Sequence, residues 1–222
     1  GDGKSTLMKI LMGVYEKDSG SITLEGKQIE IPTPEDAHKH GIGMIFQELS
    51  LVPQLTVGEN IYLGNEFKKS GLLSDRTMYK KTSEILSRYK VDHYFDPKAK
   101  VFSLSRGYSQ IVQVMKALSR ETKLLVMDEP TASLTKDEEE TLYQIIMNLK
   151  EQGVSIIYIS HRLEEIFRNC DRVTVFRDGN RVTTENVNNV DMEQLIELMT
   201  GRKVEDERPQ EAHKVQVEQK AP

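Results

Sequence analysis

The sequence has little that could build a covalent or membrane-spanning framework. Cys170 is its single cysteine, so no disulfide can form within the chain, and this usage fits a reducing compartment. Cys170 itself is interpreted as a small apolar filler. No apolar run approaches the roughly 18 residues that a membrane-spanning helix needs. Any role at a membrane is therefore expected to be peripheral.

An excess of positive charge is also missing. The chain has 35 acidic and 30 basic residues and a formal net charge of −5, which speaks against nucleic-acid binding through bulk positive charge. Hydrophobic residues make up 37% of the 222 positions, the mix of an ordinary globular protein. This length allows one large or two small domains.

An acidic pair follows the most apolar short segment of the chain. Leu124–Met127 is four apolar residues flanked by charge, which predicts a strand buried on both faces. Asp128 and Glu129 come next, at the carboxyl edge where open α/β sheets bind ligands. Such a pair is costly to bury unless it holds a cation or moves a proton. The alternative is an aspartate that only caps a turn before Pro130.

The first residues contain part of a phosphate-binding pattern. Gly1-Asp2-Gly3-Lys4-Ser5-Thr6 includes the core of G-x-x-x-x-G-K-[ST], in which backbone N–H groups cradle phosphate oxygens. Lys4 would reach the β- and γ-phosphates, and the Ser5 hydroxyl would bind Mg²⁺. A helix should begin here, with Leu7, Ile10 and Leu11 facing the sheet. The tripeptide alone is a weak signal, and the chain begins inside the pattern, so we expect the natural protein to continue upstream.

Two more polar residues follow predicted strands. Gln47 comes after the strand 42–46, and His161 comes after the strand 154–159. Because the carboxyl ends of parallel strands share one edge, both are expected near Asp128. Gln47 could ligate Mg²⁺ and orient a water, or it could be a turn glutamine. A lone histidine is usually structural, but this one shares its edge with the acidic pair.

Between residues 51 and 119 the pattern is helical. Ser74 is a plausible N-cap for one helix, and a second helix follows Ser105 and Gly107. Its first turn is a second potential phosphate site, with a simple helix cap as the alternative. Thr135 and Glu138 form a capping box for a later helix. Hairpins are predicted at 21–31 and 173–183.

These motifs, in this order, resemble the ATP-binding cassette ATPases of transporters over residues 1–200. The segment 1–6 resembles Walker A, Gln47 the Q-loop, 104–108 the signature motif, 124–129 Walker B, and His161 the switch histidine. The resemblance implies an α/β P-loop NTPase fold with a mainly parallel sheet core and a small antiparallel β portion. It places the core at about 1–50 and 120–200, an inserted helical subdomain at about 51–119, and a linker or tail at 201–222.

Within this family, the segments 43–53, 59–64, 130–135 and 199–202 are similar to the carbohydrate-importer ATPases of the ribose, galactose and xylose type. That group has two cassettes in one chain, which implies that this chain is the first cassette and that 201–222 leads to the second. The implied partners are membrane permease subunits, docked at 48–64, and indirectly a periplasmic or extracellular sugar-binding protein. The implied location is cytoplasmic, on the inner face of the cell membrane.

The resemblance also implies the cofactors, ATP and Mg²⁺, and a role for each motif residue. Asp128, Ser5 and Gln47 would hold Mg²⁺. Glu129 would be the general base, with Gln47 and His161 sensing the γ-phosphate and Lys4 neutralising charge. The Walker A residues that would cradle the nucleotide are Gly1, Asp2, Gly3, Lys4, Ser5 and Thr6. Ser105 and Gly107 would close over ATP held by the partner cassette.

The sequence departs from the family at its signature motif. L-S-G-G-Q reads here Leu104-Ser105-Arg106-Gly107-Tyr108, which puts closure over the partner's site in doubt. With half of the phosphate loop missing, we expect the polypeptide as given to bind ATP poorly and hydrolyse little. Two alternatives stay open: a non-transport cassette protein that acts on ribosomes or DNA, and a catalytically quiet cassette used for dimerisation. Glu129 and His161 favour an active enzyme.

Overall fold

The computed structural model describes residues 3–69 and 72–201. Gly1, Asp2 and nearly all of the predicted tail 201–222 lie outside the described residues. The α-helices are α1 (Lys4–Leu11), α2 (Pro34–Lys39), α3 (Val57–Ile61), α4 (Asp75–Arg88), α5 (Arg106–Leu118), α6 (Lys136–Glu151), α7 (Leu163–Asn169) and α8 (Met192–Thr200). The strands are β1 (Ile22–Leu24), β2 (Lys27–Ile29), β3 (Ile42–Ile45), β4 (Lys68–Lys69), β5 (Leu72–Leu73), β6 (Leu124–Asp128), β7 (Ser155–Ile159), β8 (Arg172–Arg177) and β9 (Asn180–Asn186).

The central sheet is parallel, as predicted, with the strand order β3-β6-β7. Met44 pairs with Val126, and Asp128 pairs with Ile159, so the three strands end at nearly the same level. The apolar residues of β6 between Leu124 and Asp128 are completely buried, because the strand has a neighbour on each side and helices pack on the sheet. This arrangement brings the loops after all three strands to one edge.

The remaining strands form small antiparallel hairpins. The pairs β1-β2 and β8-β9 were both expected from the alternation of polar and apolar residues. The pair β4-β5 was not expected, since only helices were predicted between 51 and 119. Its strands are two residues each, too short for an alternation of polarity to be recognised.

One apolar cluster joins the helices α3, α4, α5 and α6 to the sheet. In α4 the N-cap is as predicted, with the Ser74 hydroxyl accepting a hydrogen bond from the Thr77 amide. In α6 the predicted capping box of Thr135 and Glu138 is present. Within the described part of the chain, no helix is both long and apolar enough to cross a membrane.

Helix α1 is oriented differently from the prediction. Leu7 is 44% exposed, and Ile10 and Leu11 are only partly buried, whereas Met8 and Met12 are buried. The expectation that Leu7 packs on the sheet is therefore wrong. Leu7 and Met8 both line a cavity of about 680 Å³, together with residues of β7 and β8. The residues of β7 are exposed or only partly buried.

Cys170 lies at the edge of this cavity and is partly buried. Burial raises the pKa of its thiol to about 11, so the group stays protonated at neutral pH. A protonated, partly buried thiol behaves as a small apolar side chain. This agrees with the interpretation of Cys170 as a filler.

Candidate active site

Three predicted residues meet at the carboxyl edge of the sheet. The Gln47 amide nitrogen donates to Glu129 Oε2 at 3.2 Å, and His161 Nδ1 lies 3.1 Å from Glu129 Oε1. The two partners come from the loops after β3 and β7, on either side of the β6 loop that carries Glu129. Glu129 is 28% exposed and His161 is 69% exposed, so the cluster faces solvent. A carboxylate held on both oxygens is fixed in orientation while its surroundings stay open to a ligand.

The backbone also fixes Glu129. Its φ of 46° lies in the left-handed region, which residues other than glycine rarely adopt. The Glu129 amide donates to the Ile159 carbonyl at 2.9 Å, which ties the end of β6 to β7. Strained backbone of this kind clusters at functional sites, where surrounding structure holds it in place. The turn presents the carboxylate outward from the sheet.

Asp128 has the electrostatic surroundings of a cation ligand. Burial raises the pKa of its carboxyl group, the negative charge of Glu129 acts in the same direction, and the positive charge of Lys4 acts against both. Lys4 is thus close enough to influence Asp128 directly. An incompletely neutralised carboxylate, a serine hydroxyl and an amide oxygen are the hard oxygen ligands that Mg²⁺ prefers.

The Mg²⁺ site would be incomplete without a nucleotide. Among the described residues, no group of three or more His, Cys, Asp or Glu side chains could hold a metal ion. A site built from Asp128, Ser5 and Gln47 therefore needs further oxygen atoms. Phosphate oxygens and water normally complete such Mg²⁺ sites. The residues present fit Mg²⁺ bound together with a nucleotide.

The start of α1 has the form expected of a phosphate site. Gly3 is the N-cap, with φ 81°, and provides no side-chain hydrogen bond to the first turn. The N-terminal N–H groups of a helix attract anions when no side chain caps them. Ser5 and Thr6 are exposed on this turn. Gly1 and Asp2, the other predicted phosphate-binding residues, lie outside the described residues.

Ser105 and Gly107 are placed apart from the Glu129 cluster, at the start of α5. Ser105 is the N-cap of that helix, accepting a hydrogen bond from the Tyr108 amide at 3.1 Å. Its hydroxyl donates to Glu138 Oε1 at 2.8 Å. A Cβ atom at position 107 would overlap the Glu138 carboxylate, so this carboxylate covers the first turn of α5. The cap function is thus real, and a role toward a partner's ATP stays a proposal.

Tyr108 and Arg106, the two residues that depart from the L-S-G-G-Q motif, lie in different surroundings. Tyr108 packs against Tyr94 and Phe95, with ring centroids 5.3 Å and 5.6 Å away. It is a structural residue of an aromatic cluster. Arg106 is exposed on the first turn of α5. Of these two unusual residues, Arg106 is the one whose side chain is exposed to a partner surface.

Three residues near the site were missed by the sequence reasoning about function. Gln113 is buried in α5 and bonds to the backbone of Phe46, Glu48 and Ser50, which holds the loop that contains Gln47. Glu138 covers Ser105, and Glu165 is a buried carboxylate behind the loop that contains His161. The sequence offers no signal for Gln113, because its neighbours on the same helical face, Ser109, Gln110, Lys116 and Ala117, are mostly polar. It offers none for Glu165 either.

With this geometry in hand, comparison with known proteins identifies the class. The family model described as "ABC transporter" matches residues 1–132. The match covers more than half of the chain, so the chain belongs to the ABC transporter family. Cassettes of this family bind ATP and use Mg²⁺. Among the predicted site residues, Gln47, Glu129 and His161 are joined by hydrogen bonds at the carboxyl edge of the sheet.

Solved structures agree on the fold. A nucleotide-free ATP-binding cassette from an ABC transporter is 26% identical, with a TM-score of 0.76, covering 90% of this chain and 85% of that one. The ADP conformation of MJ1267, an ATP-binding cassette of an ABC transporter, is also 26% identical, with a TM-score of 0.73 and coverages of 92% and 82%.

CbiO1 from Clostridium perfringens, part of the ABC transporter complex cbiONQ, is 26% identical, with a TM-score of 0.71 and coverages of 88% and 77%. A further neighbour is the dimeric post-hydrolysis state of the cassette MJ0796 bound to ADP and Pi. The predicted P-loop NTPase fold of the ABC type, α/β with a parallel sheet core and a small antiparallel portion, is thereby confirmed.

Proposed function

We propose that this chain is the ATP-hydrolysing cassette of a transporter that imports a monosaccharide. The observation that carries the proposal is the Glu129 carboxylate, which Gln47 and His161 hold at the sheet edge. Asp128 lies beside it, and the charge of Lys4 acts on Asp128. Phosphoryl transfer to water needs a base, positive charge at the transferred group and fixed geometry, and these residues supply all three.

Each residue has a distinct part in the reaction. Glu129 accepts the proton of the attacking water. Gln47 and His161 contact the two oxygens of the Glu129 carboxylate and so orient this carboxylate toward the water. Lys4 offsets negative charge on the β- and γ-phosphates while the bond breaks. Asp128, Ser5 and Gln47 would hold Mg²⁺, which supplies further charge neutralisation when it is bound. The first turn of α1 binds phosphate oxygens through its N–H groups.

The α5 surface supports a role in a pair of cassettes. None of the hydrogen bonds described for Ser105 reaches the Glu129 cluster, and we assign Ser105 and Gly107 to ATP held by a second cassette. The dimeric cassette structures among the neighbours are consistent with this. We propose that the second cassette belongs to the same natural chain, with 201–222 as the connection.

Coupling to permease subunits is assigned to the segment 48–64. Buried Asn60 organises this segment: its side chain accepts from the Val52 amide at 2.8 Å and donates to the Val52 and Thr56 carbonyls at 3.0 Å. Gln113 ties the start of the segment to the loop that contains Gln47. A docking surface there could respond to the γ-phosphate. It would place the cassette on the cytoplasmic face of the membrane.

The monosaccharide and a separate sugar-binding protein are inferred from the resemblance of the four segments named above to carbohydrate importers. The division into a core (1–50 and 120–200) and a helical subdomain (51–119) rests on the same resemblance. None of the described contacts forms a site that would recognise a sugar, since a cassette of this kind acts on the nucleotide. The choice of sugar therefore belongs to other subunits.

A substitution of Lys4 tests the proposal. Lys4→Ala in the complete natural protein should weaken the binding of a fluorescent ATP analogue by at least roughly tenfold, because a charge-assisted bond to phosphate is lost. Reconstituted with its permease, the variant should also lose ATP-dependent uptake of labelled ribose, galactose or xylose. Lys9→Ala, on the same helix, is the matched control. Unchanged nucleotide affinity in Lys4→Ala would refute the assignment, and uptake of none of these sugars by the wild type would refute monosaccharide import.

A further inference from the structure

Glu165, in α7, is the centre of a buried hydrogen-bond network behind the Glu129 cluster. It is 8% exposed. Its oxygens accept from Thr131 Oγ1 at 2.6 Å, from Ser160 Oγ at 2.9 Å and from Tyr158 Oη at 3.0 Å, and Arg162 Nη1 lies 2.7 Å from Oε1. Four donors around one carboxylate offset much of the cost of burying its charge.

The network joins the two loops that carry the reacting residues. Thr131 is two residues after Glu129, in the loop that leaves β6. Ser160 immediately precedes His161, in the loop that leaves β7. Glu165 accepts a hydrogen bond from each of these residues and therefore connects the two loops. The Ser160 hydroxyl also accepts from the Arg162 amide at 2.9 Å, which continues the network past His161.

The network extends to a third element. Arg162 Nη1 also donates to Glu139 Oε1 at 2.5 Å, so the guanidinium connects Glu165 to α6. Burial raises the pKa of Tyr158, with the charge of Glu165 acting in the same direction, which keeps the tyrosine hydroxyl a proton donor to this carboxylate. Loops fixed at several points by buried, satisfied polar groups are held in one arrangement.

Glu165 itself makes no contact with Glu129 or His161 among the described hydrogen bonds, so any effect on the reaction must pass through the loops. We propose that Glu165 is a positioning residue, which sets the distance and orientation between the general base Glu129 and His161. This inference rests on the proposed function of the Glu129 cluster. It explains why a charged side chain is retained in a buried position that touches no ligand site.

The test is Glu165→Gln in the complete natural protein. The substitution keeps the shape but removes the negative charge that all four donors share. Because small misplacements of reacting groups lower rates steeply, kcat for ATP hydrolysis should fall by about 10²-fold. The Kd for an ATP analogue should stay within about threefold, since Lys4 and the start of α1 are untouched. Glu164→Gln, an exposed neighbour on the same helix, is the matched control and should leave both constants unchanged.

A double-mutant cycle separates positioning from loss of stability. In a Glu129→Gln background, Glu165→Gln should cause little further loss of kcat, because the group that it positions has already been disabled. A merely structural role would lower the active fraction equally in both backgrounds. Should Glu165→Gln not fold, Thr131→Val, which removes the Thr131 hydroxyl from the network, should also lower kcat and leave the Kd unchanged, with a smaller loss of kcat.

The outcomes distinguish this inference from the proposed function. If Glu129→Gln abolishes turnover while Glu165→Gln and Thr131→Val leave kcat unchanged, positioning by Glu165 is refuted and the base assignment stands. If Glu129→Gln retains full turnover, the proposed function fails first. Equal fractional losses in both backgrounds would also overturn the inference.

Discussion

At the scale of single residues, Glu129 is held in place by both its side chain and its backbone. Two side chains hold its oxygens, and a backbone hydrogen bond to Ile159 holds its amide. The positive φ is maintained by these contacts, since an isolated glutamate would relax out of it. For the proposed role as general base, this fixed orientation lowers the reorganisation needed during the reaction.

The charge of Glu138 should make the stability of the protein depend on pH. Although burial opposes the effect, hydrogen bonds from Thr135 and Ser105 hold the pKa of its carboxyl group below the ordinary value. The charged form is thus stabilised in the folded state, and this stability is complete above the ordinary pKa of about 4.3 and lost as the pH falls through the lowered value.

Glu138→Gln should therefore lower the free energy of unfolding by about 1 kcal/mol at pH 7, the usual contribution of a helix cap. The difference from the wild type should shrink as the pH falls below about 4.3. Urea unfolding followed by circular dichroism at several pH values measures it, with the exposed Glu151→Gln as control. A difference that stays constant with pH would show that the charge of Glu138 is not what matters.

At the scale of elements, the packing of α6 against the start of α5 depends on a glycine. Gly107 is buried, and its missing side chain leaves the space that the Glu138 carboxylate fills. The contact thus joins the signature segment to the helix that follows Walker B. Any ligand that reaches the Ser105 hydroxyl must displace or share this carboxylate.

Gly107→Ala should destabilise the fold by about 1–3 kcal/mol through overpacking, which exceeds the gain in helix propensity of at most about 1 kcal/mol. Denaturant unfolding measures the loss. In a Glu138→Ala background the same substitution should be nearly neutral or stabilising, because the overlap is gone. Equal losses in both backgrounds would disprove the contact.

Elements with strong local signals were predicted correctly from the sequence, and the exceptions have physical reasons. The apolar run in β6 and the N-cap of α4 are local patterns, so they could be recognised. Leu7 was misplaced because periodicity indicates an apolar face without saying whether a cavity lies beside it. The hairpin β4-β5 was too short to produce a pattern.

The same distinction applies to the site. Gln47, Glu129 and His161 could be brought together from the sequence because each follows a strand, and parallel strands end at one edge. The bridge made by Glu165 could not, since its partners Thr131 and Ser160 belong to other loops. Contacts between elements depend on packing, which no single segment encodes.

At the scale of the whole molecule, the ABC cassette fold is retained at 26% identity to solved cassettes. What is shared is the sheet edge that assembles the nucleotide site. We propose that the segment 48–64 couples this edge to a permease, whose cargo differs among transporters.

The central claim is tested most directly by the turnover of Glu129→Gln in the complete natural protein. The amide retains the size of the side chain but cannot accept a proton, so kcat for Mg-ATP hydrolysis should fall by roughly 10²–10⁴-fold. Steady-state phosphate release and equilibrium nucleotide binding give the two readings. The account predicts this loss of kcat with ATP affinity preserved within about threefold. Unchanged hydrolysis would contradict it.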